Sequence, residues 1–160
     1  MANLTEGALA PDFTLPRDGG GTVSLSDFKG NPVVLFFYPK DDTSSCTTES
    51  IAFSGLLDAF FEVGAVVIGM SPDSVKKHDK FAKKYDLSVI LASDEDLTVL
   101  NSYGVWVEKS MYGRKYMGVE RTTLLIGPDG VIRRVWPKVK VAGHAEEVLA
   151  ATQNLANGTA

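Results

Sequence analysis

The chain has 160 residues, 44% of them apolar and 22% charged, with a formal net charge of −4. That length favours one domain over residues 1–160 with a sizeable core, and the acidic balance argues against nucleic acid or an anionic membrane as partner. No apolar run approaches the roughly 20 residues that cross a bilayer, Met1-Ala2-Asn3-Leu4-Thr5-Glu6 lacks the features of a secretory signal, and a single cysteine excludes an internal disulfide framework or a multi-cysteine zinc site; the cytoplasm is the expected compartment.

Asp12-Phe13-Thr14-Leu15 and Thr22-Val23-Ser24-Leu25 alternate in polarity on either side of Gly19-Gly20-Gly21. They predict a hairpin, followed by a short turn capped by Ser26 and ended by Gly30. Residues 33–38 form an uninterrupted apolar run between Pro32 and Pro39, which predicts a strand buried on both faces. The period then changes. Phe53, Leu56, Leu57 and Phe60 fall on one face of a helix that starts among Thr43, Ser44 and Ser45. Cys46 therefore belongs to its first turn.

Val66 to Met70 predicts a second buried strand. Ser71-Pro72 reads as the cap of a helix whose inner face carries Val75, His78, Phe81, Ala82 and Tyr85. Leu87 to Leu91 predicts a third strand, and Ser93-Asp94-Glu95-Asp96 the start of a short helix bearing Leu97 and Leu100. Residues 104–118 show no clear period and read as a long, partly apolar surface loop. Val119–Ile126 and Val131–Trp136 flank the turn Gly127-Pro128-Asp129-Gly130 and predict a second hairpin. A final helix from Ala142 to Leu155 turns Ala145, Val148, Leu149 and Thr152 inward, and residues 157–160 should fray. Strands alternating with helices, then a hairpin and a helix, imply an α/β fold with a mixed sheet and helices on both faces.

A lone cysteine is ordinarily a small buried hydrophobe. Three features favour chemistry at Cys46. A sulfur in a first helical turn faces unpaired N–H groups and the positive end of the helix dipole. Its neighbours, residues 41–45 and 47–50, are almost all polar, which places it outside the core. The third feature is a cation. An unperturbed thiol, with a pKa near ~8.5, is only about 3% thiolate at pH 7. Lowering such a value to ~6 takes roughly 3.4 kcal/mol. A helix terminus supplies about 0.3–1 kcal/mol, and Asp41, Asp42 and Glu49 oppose it. Arg121, within the run Val119–Ile126, is the cation of choice; an arginine there needs an anionic partner, and Glu49 or Glu120 would serve.

Thr43, three residues before Cys46, is either a simple N-cap or a hydroxyl that accepts from substrate while donating elsewhere. His78 and His144 have no partner at metal-ligand spacing and read as surface or edge histidines. Asp41-Asp42 reads as a solvated turn. Gly19-Gly20-Gly21 lacks the lysine of a phosphate loop.

The stretch Pro39-Lys40-Asp41-Asp42-Thr43-Ser44-Ser45-Cys46 fits the pattern P-x-x-x-T-x-x-C and resembles the peroxiredoxins. Ala10-Pro11-Asp12-Phe13, Tyr103-Gly104-Val105-Trp106 and Arg121-Thr122-Thr123 resemble the Q-type branch, the bacterioferritin comigratory proteins. The resemblance spans nearly the whole chain. It implies a thioredoxin fold with an added N-terminal β-hairpin and a peroxidatic Cys46. It further implies that Pro39 shields the sulfur, Thr43 binds the peroxide oxygens, Arg121 stabilises thiolate and transition state, and Glu49 orients Arg121. There are departures: Ser44-Ser45 stands where proline and glycine are frequent, Gly127 where aspartate is, and the two positions that hold a resolving cysteine in relatives are Ile51 and Ala82. The mechanism implied uses one cysteine of this chain and no metal or other cofactor. The implied substrates are hydrogen peroxide and small organic hydroperoxides. The sulfenic acid would be recycled by an external thiol, whether thioredoxin, glutaredoxin or a low-molecular-weight thiol, in a monomer or weak homodimer. The rival readings are a thioredoxin-like disulfide exchanger, disfavoured because Thr43 occupies its second-cysteine position, and a non-catalytic chaperone or binding domain.

Overall fold

The structure is a computed structural model and describes residues 4–158. Met1–Asn3 and the last two residues of the tail expected to fray lie outside that range. The N-terminal hairpin forms as expected, β1 (Thr14–Pro16) pairing antiparallel with β2 (Thr22–Ser24). A 3-10 turn at Leu25–Phe28 follows, with Ser24 rather than Ser26 at its cap. Asp27 Oδ2 accepts the Ser24 N–H at 3.2 Å, which moves the boundary two residues upstream.

β3 (Val33–Phe37) is buried along its whole length. The next helix breaks in two, α1 (Ser44–Gly55) and α2 (Leu57–Glu62). The break falls after Ser54-Gly55, a pair that kinks helices cheaply. Phe53, Leu57 and Phe60 still point inward, while Leu56 is half-buried. β4 (Val66–Ser71) keeps Ser71 in the strand. The cap of α3 (Val75–Tyr85) is Ser74, whose Oγ accepts the Lys77 N–H at 3.2 Å. β5 (Ile90–Ser93) starts three residues later than Leu87. Asp86, in the left-handed region, and the Leu87 N–H bond to Ala82 O close α3 and consume that stretch.

α4 (Thr98–Ser102) is shorter than its acidic lead-in suggests. Asp94 lies outside it and accepts the Leu100 N–H at 2.7 Å. Residues 104–118 are not a loop: β6 (Trp106–Met111) and β7 (Arg114–Val119) form an antiparallel hairpin. Tyr112 and Gly113, at φ 52° and 77°, make the tight turn; two successive positive φ angles match the twist of the flanking strands. β8 (Thr122–Ile126) is accordingly shorter than the run 119–126. β9 (Ile132–Trp136) and α5 (His144–Ala156) complete the chain. In α5, Ala145, Val148 and Thr152 are buried and Leu149 is half-buried.

The central sheet has the order β5-β4-β3-β8-β9. β3, β4 and β5 run parallel, and β8 and β9 run antiparallel to their neighbours. Alternate residues of β3, with Tyr38 just beyond it, feed two apolar layers. Val34, Phe36 and Tyr38 meet side chains of α1, α2, α3 and α5. Val33, Leu35 and Phe37 meet the N-terminal hairpin, α4 and the segment after it. A central strand with helices on one face and helix plus hairpin on the other must be apolar throughout. This is the mixed α/β sheet the sequence predicts. Among the described residues no helix is long and apolar enough to cross a membrane.

Candidate active site

β3 runs out at Phe37, and the chain turns through Pro39–Asp42 into α1. Thr43 is the N-cap and Cys46 the third helical residue. The helical ladder begins with the Thr47 N–H to Thr43 O bond at 2.8 Å, so the amides before it have no intrahelical acceptor. Cys46 is only 1% exposed. Asp42 to Ser45 are exposed, while the sulfur turns under the helix with Glu49 and Ser50 and joins the layer of Phe53, Leu125 and Trp136. The expectation that it lies outside the core is wrong. The sulfur is nevertheless not sealed in hydrocarbon: Arg121 Nη2 donates to Cys46 Sγ at 3.2 Å.

Arg121 does not lie within a strand. It occupies the crossing between β7 and β8, where its carbonyl accepts the Val139 N–H at 2.9 Å. There the chain leaves the outer hairpin for the central sheet. The other arm of the guanidinium, Nη1, donates to Glu49 Oε1 at 2.7 Å. Glu49 is one turn beyond Cys46 on α1, so a single fork spans both side chains. Of the two counter-ions open in the sequence, Glu49 is the one engaged.

Burial opposes the charge on Arg121, but Glu49 and the sulfur outweigh it and hold its pKa above the ordinary value. Glu49 answers differently. Burial dominates the attraction of Arg121 and pushes its carboxyl up to about 7. Its second oxygen, Oε2, has no partner among the described residues, which leaves that desolvation uncompensated. The Thr43 hydroxyl donates to Lys40 O at 2.8 Å and makes no capping bond. Its donor is engaged within the loop, and its lone pairs are left as acceptors. Pro39 is half-buried at the exit of β3.

Three groups escaped the sequence reading. Lys109 of β6 is close enough to Arg121 for burial and that positive charge to lower its pKa. Finding it required seeing the hairpin, whose signal was the single dipeptide Tyr112-Gly113. His144 is buried, with Nε2 2.9 Å from Thr123 Oγ1. Burial, then the charge of Arg121, lowers its pKa. Asp41 and His78 are not surface groups either; they form a buried pair at 2.6 Å. No cluster of three His, Cys, Asp or Glu side chains at metal-binding range occurs among the described residues.

The AhpC/TSA family pattern matches residues 7–135. A Coxiella burnetii protein named putative peroxiredoxin bcp is 53% identical over 147 residues, spanning 92% of this chain and 97% of its own. The peroxiredoxin Bcp of Bacillus subtilis is 46% identical over 89% of this chain and 91% of its own. Among solved structures, a cysteine-to-serine mutant of Xylella fastidiosa PrxQ superposes with a TM-score of 0.92 at 39% identity, covering 98% of this chain and 99% of that one. The Xanthomonas campestris bacterioferritin comigratory protein, described with its alkyl peroxide reduction activity, superposes at 0.86 with 43% identity over 90% of this chain and 92% of that one. The sheet order, the added hairpin and the Cys46–Arg121–Glu49 arrangement thus sit in a thioredoxin fold of known type, and the chain belongs to the AhpC/TSA family as a thiol-dependent peroxidase of the Bcp (Q-type) peroxiredoxins.

Proposed function

We propose that Cys46 is the peroxidatic nucleophile and that this one domain, residues 1–160, reduces hydrogen peroxide and small alkyl hydroperoxides. The observation that carries the reading is the Arg121 fork, one N–H on Cys46 Sγ and another on Glu49. The thiolate attacks the terminal peroxide oxygen and the O–O bond breaks. The electron pair leaves with the distal oxygen, which takes a proton and departs as water or alcohol. Sulfur is oxidised by two electrons to sulfenic acid. Arg121 and the free amides of the first turn face the charge moving onto the oxygens. Thr43 accepts the peroxide hydrogen bond with the lone pairs its Lys40 contact leaves open. Pro39 shields the sulfur from water, and Glu49 holds the guanidinium in plane.

Ile51 and Ala82 cannot resolve the sulfenic acid, and Cys46 is the only cysteine. An external thiol condenses with it, releasing water, and a second thiolate then frees Cys46 from the mixed disulfide. A thioredoxin, a glutaredoxin or a low-molecular-weight thiol would serve, which suits a reducing cytoplasm and a monomer or weak homodimer. The disulfide-exchange and non-catalytic readings lose support, because a guanidinium on a lone sulfur serves peroxide cleavage. Stoichiometric peroxide followed at once by intact-mass measurement tests the assignment. Gain of one oxygen at Cys46, absent in Cys46→Ser, is expected; peroxide turnover retained in Cys46→Ser would remove the sulfur from the mechanism.

A further inference from the structure

His78 lies in α3 with 0% of its surface exposed, beneath the loop that delivers Thr43 and Cys46. Its Nδ1 is 2.6 Å from Asp41 Oδ2, and its Nε2 is 2.9 Å from the Ala92 carbonyl. An acceptor faces each ring nitrogen, an arrangement that favours the doubly protonated imidazolium. Asp41 Oδ1 accepts the Tyr38 hydroxyl at 2.6 Å. Asp41 is fixed through its backbone as well, its N–H donating to Asp73 Oδ2 at 2.8 Å.

Helix α3 grips the next residue too. Asp42, held at φ 60°, accepts from Lys84 Nζ at 2.8 Å and from Tyr85 Oη at 2.6 Å. That second grip is exposed, and ion pairs in water contribute little. The buried grip is the one that counts. The segment so held ends in Thr43, whose hydroxyl is tied back to Lys40 O.

We propose that His78 is a positioning residue: through Asp41 its charged ring holds Lys40–Thr43 in the arrangement that presents Thr43 and Cys46 to peroxide, and loss of the ring's charge releases the segment. The proposal rests on Cys46 as the reacting sulfur. It also predicts opposite effects on the two half-reactions. Cys46 is 1% exposed, so an external thiol reaches it only when the segment opens, and the grip that favours attack by the sulfur delays its recycling.

The groups facing His78 are Tyr38 and Asp41 from the segment that follows β3, Asp73 before α3 and, through its 4.0 Å contact with Asp73, Lys77. Burial opposes the charged ring. The bond and charge of Asp41, the Ala92 carbonyl and the charge of Asp73 outweigh it and raise its pKa. A histidine raised on folding holds its contact at low pH and loses it as pH rises through the raised value.

Two histidines make nitrogen NMR of ¹⁵N-histidine-labelled protein simple to read. At neutral pH one ring, His78, should be doubly protonated and the other, His144, neutral. Stopped-flow peroxide reduction across pH should show an alkaline decline whose midpoint equals the NMR midpoint of His78. In His78→Gln the decline should vanish, oxidation at neutral pH should slow about ten- to a hundredfold, and reduction of the sulfenic acid by a protein thiol should speed up. A neutral His78 ring, or a decline unmoved by the substitution, overturns the proposal. Should His78→Gln fail to fold, the two wild-type midpoints still decide: coincidence supports it and disagreement refutes it. Wild-type Cys46 that peroxide leaves unoxidised would instead sink the peroxidase assignment.

Discussion

Arg121 Nη2 stands 3.2 Å from Cys46 Sγ, although 75 residues separate the two in the chain. The contact exists because the guanidinium reaches across from the β7–β8 crossing while Glu49, on the same helix as the sulfur, holds its other arm. Arg121→Ala should lower the second-order rate of peroxide reduction about 10²–10³-fold, the cost of losing one preorganised donor to developing charge. Arg121→Lys, which keeps a charge without the fork, should fall between. Single-turnover kinetics on all three proteins check this; an Arg121→Ala rate close to wild type would remove Arg121 from the transition state.

Glu49 couples the site to stability. Its carboxyl is pushed from 4.5 up to about 7, mainly by burial. A carboxyl raised on folding binds its proton more tightly in the native state, so ionisation costs stability. The cost is absent below about pH 4.5, grows through the window and is complete above about pH 7, reaching about 3 kcal/mol. Urea unfolding at about pH 5 and about pH 8 should show wild type losing more stability on alkalinisation than Glu49→Gln. The histidines and other groups are common to both proteins and cancel in that difference. Equal pH slopes would mean that Arg121 fully compensates the buried carboxylate.

The elements read best from sequence were those that one pattern decides. β3 is a single apolar run, and it is buried along its whole length because both faces of the sheet are covered. Cys46, Thr43, Arg121 and Glu49 were legible as residue types, and Glu49 was one of two named partners for Arg121. What the sequence hid was orientation. The polarity around Cys46 is divided between exposed Asp42–Ser45 and buried Asp41, Glu49 and Ser50, so it says nothing about which way the sulfur is directed. Asp41 and His78 looked solvated because each finds its partner 37 residues away; a buried hydrogen-bonded pair leaves no local pattern. The β6–β7 hairpin was missed because Met111, Tyr116 and Met117 of its strands, like Tyr112 of its turn, are exposed, which destroys the alternation a half-buried strand would show.

The Thr43 hydroxyl donates to Lys40 O and keeps its lone pairs as acceptors. Removing the oxygen while keeping the shape tests its role. Thr43→Val should slow peroxide reduction about a hundredfold, whereas Thr43→Ser should stay near wild type. Both Thr43 and Lys40 are exposed, so water replaces the lost bond and unfolding midpoints should barely move. A Thr43→Val enzyme with full activity would reduce the residue to a backbone cap.

Gly69 of β4 tests how tightly the site is tied to the sheet. A Cβ there would stand 2.6 Å from Phe36 Cζ and 3.0 Å from its Cε2. Phe36 is fully buried, stacked 4.7 Å from Phe53 of α1 and 5.7 Å from Tyr38. It cannot swing into solvent, so Gly69→Ala must displace the ring toward the helix that carries Cys46 and Glu49. Overpacking of this kind costs about 1–3 kcal/mol, measurable as a lowered denaturant midpoint. A second substitution that removes the clash, Phe36→Leu, should recover part of the loss in the double variant, because residues in contact do not add independently. The rate of peroxide reduction should fall in Gly69→Ala and rise again in the double variant. If Gly69→Ala instead matches wild type in both measurements, the contact from β4 through Phe36 to α1 does not constrain the sulfur.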